Sequence, residues 1–322
     1  MWLPPLFLSL LSSLPVATSA DAPPPPLILD GDASKPMPAL GFGTCCRKSA
    51  HGAPLVRSAK AFLAEGGRLI DTAQMYANHA EIARAVREAG VPRGELWLTS
   101  KVNTKEVRTR EATRRSVHQS ARELGVEYID LMLIHGMWTI SEEEAVEVWR
   151  GLLDAKKDGV VRHVGVSNFE KRHIQRLVAD TGVRPSALQL EYHPWSGSEV
   201  DELVAWCQQQ GIAVTAYGSL GGSANGARGE AVARLAAARH VTAAQLLLRW
   251  GTSRGVAVIP GATSVEHIRA NLNLPPLRLS EEELRILRSQ ETRPAKFTSW
   301  LNLPSELGQR AHHKGSRRRL VG

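Results

Sequence analysis

The feature that most constrains the fold is a regular alternation of short apolar runs with longer amphipathic segments. Intervening segments such as residues 110–124 and 142–158 have the length of a helix that returns the chain across a sheet. Strict alternation of strand and helix indicates a parallel sheet, and eight such units indicate a closed barrel. We therefore predict one α/β domain, a single (β/α)8 TIM barrel. Its predicted strands are residues 39–44, 68–72, 96–101, 129–135, 163–167, 187–192, 213–217 and 256–260.

An open, doubly wound parallel sheet is the alternative fold. That fold places a glycine-rich turn and a helix start directly after its first strand. Gly41 and Gly43 are not followed by a third glycine at the required spacing, so the barrel is favoured. In such a barrel the active site lies at the carboxyl ends of the strands.

Three further segments are predicted outside the barrel, which we place at residues 36–290. Residues 3–16 are apolar and uncharged, and small residues follow up to Ala20, which resembles a cleaved signal peptide at residues 1–20. This predicts the secretory pathway (secreted, endomembrane or plastid), without stable membrane contact once the leader is removed. A membrane anchor, an organelle leader or a cytoplasmic protein with a non-functional leader are the alternatives. Residues 21–35 are predicted to be a proline-rich spacer and N-terminal entry into the barrel, and residues 291–322 a loop with a basic tail.

The net charge of +8 is concentrated in this tail. No aromatic residues interleave with its basic cluster, and no nucleic-acid-binding motif surrounds it, so we expect no nucleic-acid partner. A solvated tail is the favoured interpretation, and targeting or contact with an anionic surface is the alternative. Five basic residues of the tail account for five of the eight charges: Arg310, Lys314, Arg317, Arg318 and Arg319.

The chain has three cysteines, Cys45, Cys46 and Cys207. Neighbouring cysteines rarely bridge to each other, and no CxxC pair occurs, so neither a disulfide framework nor a metal site is predicted. We expect reduced thiols, and a bridge from Cys45 or Cys46 to Cys207 stays open as the alternative.

Polar residues stand at the ends of most predicted strands. An acid or a lysine in such a place is almost never fully buried unless it is paired. Any one of them is compatible with exposure at the barrel rim, but the set together indicates a functional site. The set consists of Asp71, Lys101, His135, Ser167, Asn168, Gln189 and Tyr217, with Tyr76 shortly after the second strand.

Three of these segments resemble the aldo-keto reductase family. Residues 69–76 (LIDTAQMY) resemble the segment that supplies that family with an Asp and a Tyr five residues apart, and residues 99–101 (TSK) and 133–135 (LIH) match the places of its Lys and His. The resemblance covers about residues 36–290. It implies a catalytic set of Asp71, Tyr76, Lys101 and His135.

The resemblance also implies a nicotinamide dinucleotide as cofactor, NADPH with NADH as the alternative. Residues 165–169 (GVSNF) and Gln189 match the family's contacts to the nicotinamide carboxamide, Tyr217 matches the residue that stacks on the ring, and residues 258–260 match the start of its phosphate-binding segment. The implied cofactor-binding residues are Thr44, Ser167, Asn168, Gln189, Tyr217, Ser219, Leu220, Ile259, Pro260, Gly261, Thr263, His267 and Asn271. Of these, Asn271 matches the family's adenine contact.

Chemistry explains why the catalytic residue types occur together. Hydride delivery to a carbonyl carbon leaves negative charge on the oxygen, which must be stabilised or protonated. A free tyrosine has a pKa of about 10, and a nearby ammonium lowers that pKa. We therefore expect Lys101 to lower the pKa of the proton donor Tyr76, Asp71 to hold Lys101, and His135 to align the carbonyl.

These expectations predict an NADP-dependent oxidoreductase that reduces a small-molecule aldehyde or ketone to an alcohol. A nicotinamide-binding regulatory or redox-sensing subunit with little turnover is the alternative. A barrel hydrolase or a Schiff-base aldolase leaves the nicotinamide contacts unexplained. The oligomeric state is not predicted by any feature of the sequence.

Several positions depart from the family pattern. Cys45 replaces a common tryptophan, and His135 is followed by Gly136-Met137-Trp138 where the family has an aromatic residue directly after the histidine. The loop from His135 to Ser141 is also very short. These features together predict an open, shallow pocket. Gly261 replaces a lysine that many relatives direct at the 2′-phosphate, and His267 replaces an arginine. Arg269 is expected to substitute in part, beside a helix that starts at residues 263–264. We therefore expect only a reduced preference for NADPH.

Overall fold

The computed structural model describes residues 23–47, 49–221 and 229–289. Two strands form a small antiparallel sheet, and eight form the central parallel sheet. The strands are β1 (Leu27–Leu29), β2 (Asp32–Met37), β3 (Gly41–Gly43), β4 (Leu69–Asp71), β5 (Trp97–Val102), β6 (Ile129–Ile134), β7 (Val161–Ser167), β8 (Ala187–Glu191), β9 (Ala213–Tyr217) and β10 (Ala257–Val258).

Helices follow the strands of the central sheet, as the alternation predicts. Their bounds are α1 (Gly52–Ala64), α2 (His79–Ala89), α3 (Arg110–Leu124), α4 (Glu142–Lys157), α5 (Lys171–Thr181), α6 (Ser198–Gln209), α7 (Glu230–Ala238), α8 (Ala243–Ser253), α9 (Val265–Leu272) and α10 (Glu281–Arg288). Ser141 and Ser280 cap α4 and α10 with complete capping boxes. A cap of this kind contributes about 1 kcal/mol to the stability of its helix.

The central sheet closes on itself. Its strands pair in parallel from β3 to β10 in chain order. Leu40 bridges to Val258 across the remaining gap, and the Val258 amide donates to the Ala39 carbonyl at 2.8 Å. The predicted (β/α)8 barrel is therefore confirmed, and its eight strands correspond to the eight predicted runs.

The strands that meet at this closure are shorter than predicted and approach each other closely. A Cβ atom on Gly41 would lie 2.7 Å from the Leu69 side chain and 2.9 Å from Ile259, closer than side-chain atoms pack. The Gly43 amide donates to the Pro260 carbonyl at 3.2 Å. The two glycines therefore serve close packing at the seam of the barrel.

Residues 27–37, most of which fall in the predicted spacer and N-terminal entry, form a β-hairpin that the sequence did not predict. Strands β1 and β2 pair antiparallel, and Leu29 and Met37 are buried against the barrel interior beside Trp97. The turn places Asp30 and Gly31 at φ of 52° and 76°, as the Asp-Gly pair of a tight hairpin requires. The hairpin thus covers the amino-terminal end of the barrel, opposite the predicted active site.

Ion pairs and hydrogen bonds fasten this hairpin to the barrel. Lys35 Nζ lies 2.6 Å from Asp130 Oδ1, and the Asp130 carboxylate also accepts from Arg93. The Asp30 carboxylate accepts from Ser186 at 2.7 Å and contacts His163 at 3.0 Å. These contacts hold the pKa of Asp30 well below its usual range, against the effect of its partial burial.

Cys45 and Cys46 are joined by a disulfide, which contradicts the prediction of reduced thiols for this pair. The chain turns at Cys46, whose φ is 67°. Cys207 is a buried free thiol, and burial raises its pKa to about 12. The alternative bridge to Cys207 is therefore not formed.

No helix in the described ranges is long and apolar enough to span a membrane. The predicted signal peptide at residues 1–20 and the predicted tail at residues 291–322 lie outside the described residues.

Candidate active site

The four predicted catalytic side chains meet at the carboxyl end of the barrel. Asp71 ends β4, Lys101 is the residue before the last in β5, and His135 follows the last residue of β6. Tyr76 ends a short 3-10 turn over Gln74–Tyr76. Parallel strands that end at one rim bring together residues far apart in sequence.

Lys101 connects the other members of this cluster. Its Nζ lies 2.5 Å from Asp71 Oδ1, 3.0 Å from the Thr72 carbonyl oxygen and 3.4 Å from the Tyr76 hydroxyl. The rings of Tyr76 and His135 meet edge to face, with centroids 5.5 Å apart. The side chain of Lys101 is only 1% exposed.

The Asp71 carboxylate keeps Lys101 charged despite this burial. Burial favours the neutral amine, but Asp71 and the Tyr76 hydroxyl outweigh it, so the pKa of Lys101 lies above its ordinary value. Removing one partner of such a buried pair leaves an uncompensated charge. Asp71 therefore fixes both the charge and the position of the ammonium.

The expected lowering of the Tyr76 pKa is wrong in its net direction. Burial of the hydroxyl raises the pKa of Tyr76 above its ordinary value, and Asp71 adds to this increase. Lys101 acts in the expected, opposite direction but does not outweigh the burial. Tyr76 is therefore protonated at neutral pH, and Lys101 limits how far its pKa rises.

His135 is neutral at ordinary pH. Burial and the nearby ammonium of Lys101 lower its pKa to about 3. Its Nδ1 is buried and has no hydrogen-bond partner among the described residues. A neutral imidazole has one N–H donor and one acceptor nitrogen, so His135 is able to donate one hydrogen bond into the site without carrying a charge.

Gln74 and Asn78, which the sequence analysis did not single out, position the Tyr76 turn. Gln74 Nε2 donates to the hydroxyl oxygens of Ser116 and Ser120, both at 2.7 Å, and its Oε1 accepts from the Asn103 amide. Asn78 accepts from the Thr72 hydroxyl at 2.6 Å. In the sequence, only their position two residues before and after Tyr76 could have indicated that Gln74 and Asn78 support the site.

Asn78 also fixes the segment after β3. Its Nδ2 donates to the Thr44 carbonyl at 3.0 Å. The Thr44 hydroxyl donates to the Asp71 carbonyl at 2.9 Å and is buried. The Thr44 amide also donates to the Asp71 carbonyl, at 3.1 Å. The side chain and the backbone of Thr44 are therefore both hydrogen-bonded within the barrel, and its predicted contact with a cofactor stays a prediction.

Trp138 contacts His135, although two residues lie between them in the sequence. Its ring lies edge-on to His135, with centroids 5.5 Å apart. A methyl group on Gly136 would overlap the Trp138 ring, so glycine at this position permits the indole to fold back. The indole thus lies against one side of His135, and the open, shallow pocket stays a prediction.

A family model described as the aldo/keto reductase family matches residues 40–291. This match covers most of the chain, including all four clustered side chains. The chain belongs to the aldo-keto reductase family.

Individual relatives agree with this assignment. The chain is 34% identical to methylglyoxal reductase DkgB of Escherichia coli O157:H7 over 252 residues, 78% of this chain and 92% of the relative. It is 34% identical to glyoxal reductase of Bacillus subtilis over 248 residues, 77% of this chain and 87% of the relative. A crystal structure of a Bombyx mori aldo-keto reductase in complex with NADP has a TM-score of 0.73 at 29% identity, covering 82% of this chain and 92% of that one.

The residues predicted to hold the nicotinamide carboxamide form one hydrogen-bonded group in this aldo-keto reductase. The Tyr217 hydroxyl donates to Asn168 Oδ1 at 2.7 Å, and Asn168 Nδ2 donates to the His135 carbonyl and to the Ser167 hydroxyl. Gln189 Nε2 donates to Asp71 Oδ2 at 2.7 Å. The group is therefore hydrogen-bonded directly to the predicted catalytic residue Asp71.

The predicted phosphate segment leads into α9 as expected. Ser264 caps that helix by accepting from the His267 amide at 3.2 Å, while Thr263 and the His267 side chain are exposed. Arg269, the expected substitute cation, instead makes two hydrogen bonds of 2.8 Å to Glu65. Its guanidinium is thus already paired.

The remaining predicted cofactor residues lie along the same rim. The Ser219 hydroxyl donates to the Ala216 carbonyl at 3.0 Å, and Leu220 is partly buried. Pro260 and Asn271 line a small cavity with Phe42, and Ile259 is buried at the seam.

These residues fit a nicotinamide dinucleotide. The amide group of Asn168 and the hydroxyl group of Ser167 suit a carboxamide at one end of the site, and the Tyr217 hydroxyl holds Asn168 in place beside them. Gly261 at the other end has no side chain, and the half-buried guanidinium of Arg47 lies against it. No group of three metal-ligating side chains occurs in the part of the chain that the structure describes.

Proposed function

We propose that this aldo-keto reductase reduces the carbonyl group of a small aldehyde or ketone to an alcohol, with NADPH as the hydride donor and Tyr76 as the proton donor. The observation that supports this most strongly is the buried contact of the Lys101 ammonium with the Tyr76 hydroxyl, 3.4 Å away. The relatives named methylglyoxal reductase and glyoxal reductase suggest small dicarbonyl compounds as first substrates.

Tyr76 supplies the proton that completes the alcohol. When bound, the dinucleotide supplies a hydride to the carbonyl carbon, so negative charge develops on the carbonyl oxygen. Tyr76 is protonated at neutral pH and transfers its hydroxyl proton to that oxygen. The balance is one hydride and one proton added across the carbonyl bond, and Tyr76 regains its proton from solvent.

Lys101 and Asp71 stabilise the phenolate that this transfer leaves behind. The Lys101 ammonium is held against the Tyr76 oxygen in a site from which water is largely excluded, where a charge contact is stronger than in water. Asp71 prevents Lys101 from losing its proton to Tyr76 or to solvent. Asp71 is thus a positioning residue, while Tyr76 touches the reacting oxygen.

His135 directs the carbonyl oxygen toward Tyr76. Because its imidazole is neutral, it donates a hydrogen bond without competing for the proton that Tyr76 provides. Trp138 packs against one edge of the imidazole ring and the Tyr76 ring packs against another. These contacts fix the direction in which the single N–H group of His135 points. A fixed donor of this kind contributes through orientation and charge stabilisation.

Turnover distinguishes this proposal from a regulatory subunit. Oxidation of NADPH should be measured by absorbance with methylglyoxal, glyoxal, simple aldehydes, ketones and aldose sugars, and the alcohol product should be quantified. We expect one dinucleotide oxidised for each alcohol formed. A chain that binds NADPH but turns over none of these classes would contradict the proposal and favour the regulatory alternative.

A further inference from the structure

Arg47 lies at the phosphate end of the predicted cofactor site, although the sequence analysis assigned it no role. Its Nη2 donates to the Gly43 carbonyl at 3.0 Å, and its guanidinium carbon lies 5.9 Å from the centre of the Phe42 ring. A Cβ atom on Gly261 would overlap Nη1 of Arg47. The guanidinium therefore occupies the space that a side chain at position 261 would take.

Arg47 is an incompletely satisfied cation. It is partly buried and forms no ion pair with a carboxylate in the described ranges, whereas Arg269 nearby is paired with Glu65. Its Nε is buried without a hydrogen-bond partner in the same ranges. Desolvation lowers the pKa of Arg47, and no acidic group offsets it. A partly buried charge without a partner is unfavourable. An anionic ligand would supply the missing counterion and hydrogen-bond acceptors.

The surroundings of Arg47 indicate which anion it meets. Phe42, which lies under the guanidinium, also lines the small cavity formed with Asn271 and Leu272 of α9. Asn271 is the residue expected to contact the adenine. The carboxamide group around Asn168 belongs to other strands of the rim, so Arg47 lies at the adenosine end of the site.

We propose that Arg47 binds the 2′-phosphate of NADPH and so replaces the cation that is absent at Gly261. A guanidinium offers several N–H donors in a plane and binds phosphate oxygens in pairs. This inference rests on the proposed function, because it specifies how the same site selects its dinucleotide. Arg47 is then a specificity-determining residue for NADPH over NADH.

The overlap at Gly261 gives this proposal a second consequence. A lysine at position 261 and Arg47 compete for one space, so Gly261→Lys should displace the guanidinium instead of adding a second charge. We expect Gly261→Lys alone to leave the ratio of NADP⁺ to NAD⁺ affinity nearly unchanged. In the Arg47→Met background, the same lysine should restore much of the lost preference.

Direct binding of NADP⁺ and NAD⁺ to the full chain tests the proposal without using activity. Arg47→Met should weaken NADP⁺ binding by about 10- to 100-fold, the loss expected for a charge-assisted hydrogen bond, and change NAD⁺ binding by less than about threefold. Arg57→Met, which removes an exposed arginine of α1, is the matched control and should change neither. Calorimetry at constant salt is suitable. The reductant concentration should also be constant, because the redox state of the neighbouring Cys45–Cys46 pair could affect the position of Arg47.

Two patterns would overturn the assignment of Arg47. If Arg47→Met weakens the affinities for NADP⁺ and NAD⁺ equally, Arg47 contacts the pyrophosphate or has a structural role. If its affinity for NADP⁺ is unchanged, Arg47 is not part of the cofactor site. If Arg47→Met does not fold, judged by its melting temperature, Arg47→Lys and Arg47→Met/Gly261→Lys provide the same comparison with a cation retained. A wild-type chain that binds neither dinucleotide would instead contradict the proposed function itself.

Discussion

Asp71 and Lys101 form a buried ion pair, with the carboxylate oxygen 2.5 Å from the ammonium nitrogen and each side chain at most 3% exposed. Gln189 donates to the other oxygen of the same carboxylate. The pair thus links Tyr76, the proposed proton donor, on one side to the predicted nicotinamide contacts on the other. A disturbance of Asp71 should therefore affect stability and catalysis together.

Asp71→Asn should lower the free energy of unfolding by about 3–5 kcal/mol, because it leaves a buried ammonium without its counterion. Asp71→Asn/Lys101→Met should be less destabilised than the sum of the two single variants. Chemical denaturation of all three variants measures this coupling. Asp180→Asn, which breaks the exposed pair with Arg176, is the control and should cost at most about 1 kcal/mol. Strictly additive losses would contradict a coupled pair.

Lys101→Met should shift the pH dependence of alcohol oxidation to higher pH. In the proposed mechanism the reverse reaction uses the Tyr76 phenolate as proton acceptor, and Lys101 opposes the rise that burial causes in the Tyr76 pKa. Without the ammonium that pKa rises further, so less phenolate is present at any given pH. Rates of dinucleotide reduction across alkaline pH measure the shift. Lys105→Met, which alters an exposed lysine, is the control and should leave the pH profile unchanged. An unchanged pH profile in Lys101→Met would contradict the proposed effect of Lys101 on the Tyr76 pKa.

His135 should make the protein less stable in acid. Its pKa is about 3 in the folded chain and about 6.5 when unfolded, so the unfolded chain binds a proton first as the pH falls. The stability associated with neutral His135 is present above about pH 6.5 and is lost progressively toward pH 3, by an amount on the order of a few kcal/mol.

His135→Gln should therefore lose less unfolding free energy than the wild type between pH 7 and about pH 4. Denaturation curves at several pH values provide the comparison, with the exposed His51→Gln as control. Parallel curves for His135→Gln and the wild type would show that His135 does not remain neutral in the folded chain.

The barrel was predictable because its strands are short runs of mostly buried, mainly apolar residues and each run is followed by a helix. Such runs result from burial of parallel strands on both faces. The polar residues that interrupt them, such as Asp71 and Lys101, were visible as exceptions to that rule. The fold and the location of the cluster therefore followed from local patterns.

Other features depend on contacts between distant segments and were missed. The hairpin of β1 and β2 follows a proline run that suggested a spacer, although Asp30 and Gly31 form a recognisable turn signal. The net pKa direction of Tyr76 depends on how deeply its hydroxyl is buried, which no spacing reveals. Arg47 follows the disulfide-bonded Cys46, and its relation to Gly261 exists only across the barrel seam.

The substitution Tyr76→Phe tests the central claim most directly. It removes only the hydroxyl, so the account predicts that kcat for carbonyl reduction falls by about 10²–10⁴-fold, the contribution of general acid catalysis, while the dissociation constant for NADPH stays within about twofold. Tyr128→Phe, which alters a tyrosine beside Lys35 at the opposite end of the barrel, should retain wild-type turnover. Near-normal kcat in Tyr76→Phe would contradict the assignment of Tyr76 as the proton donor.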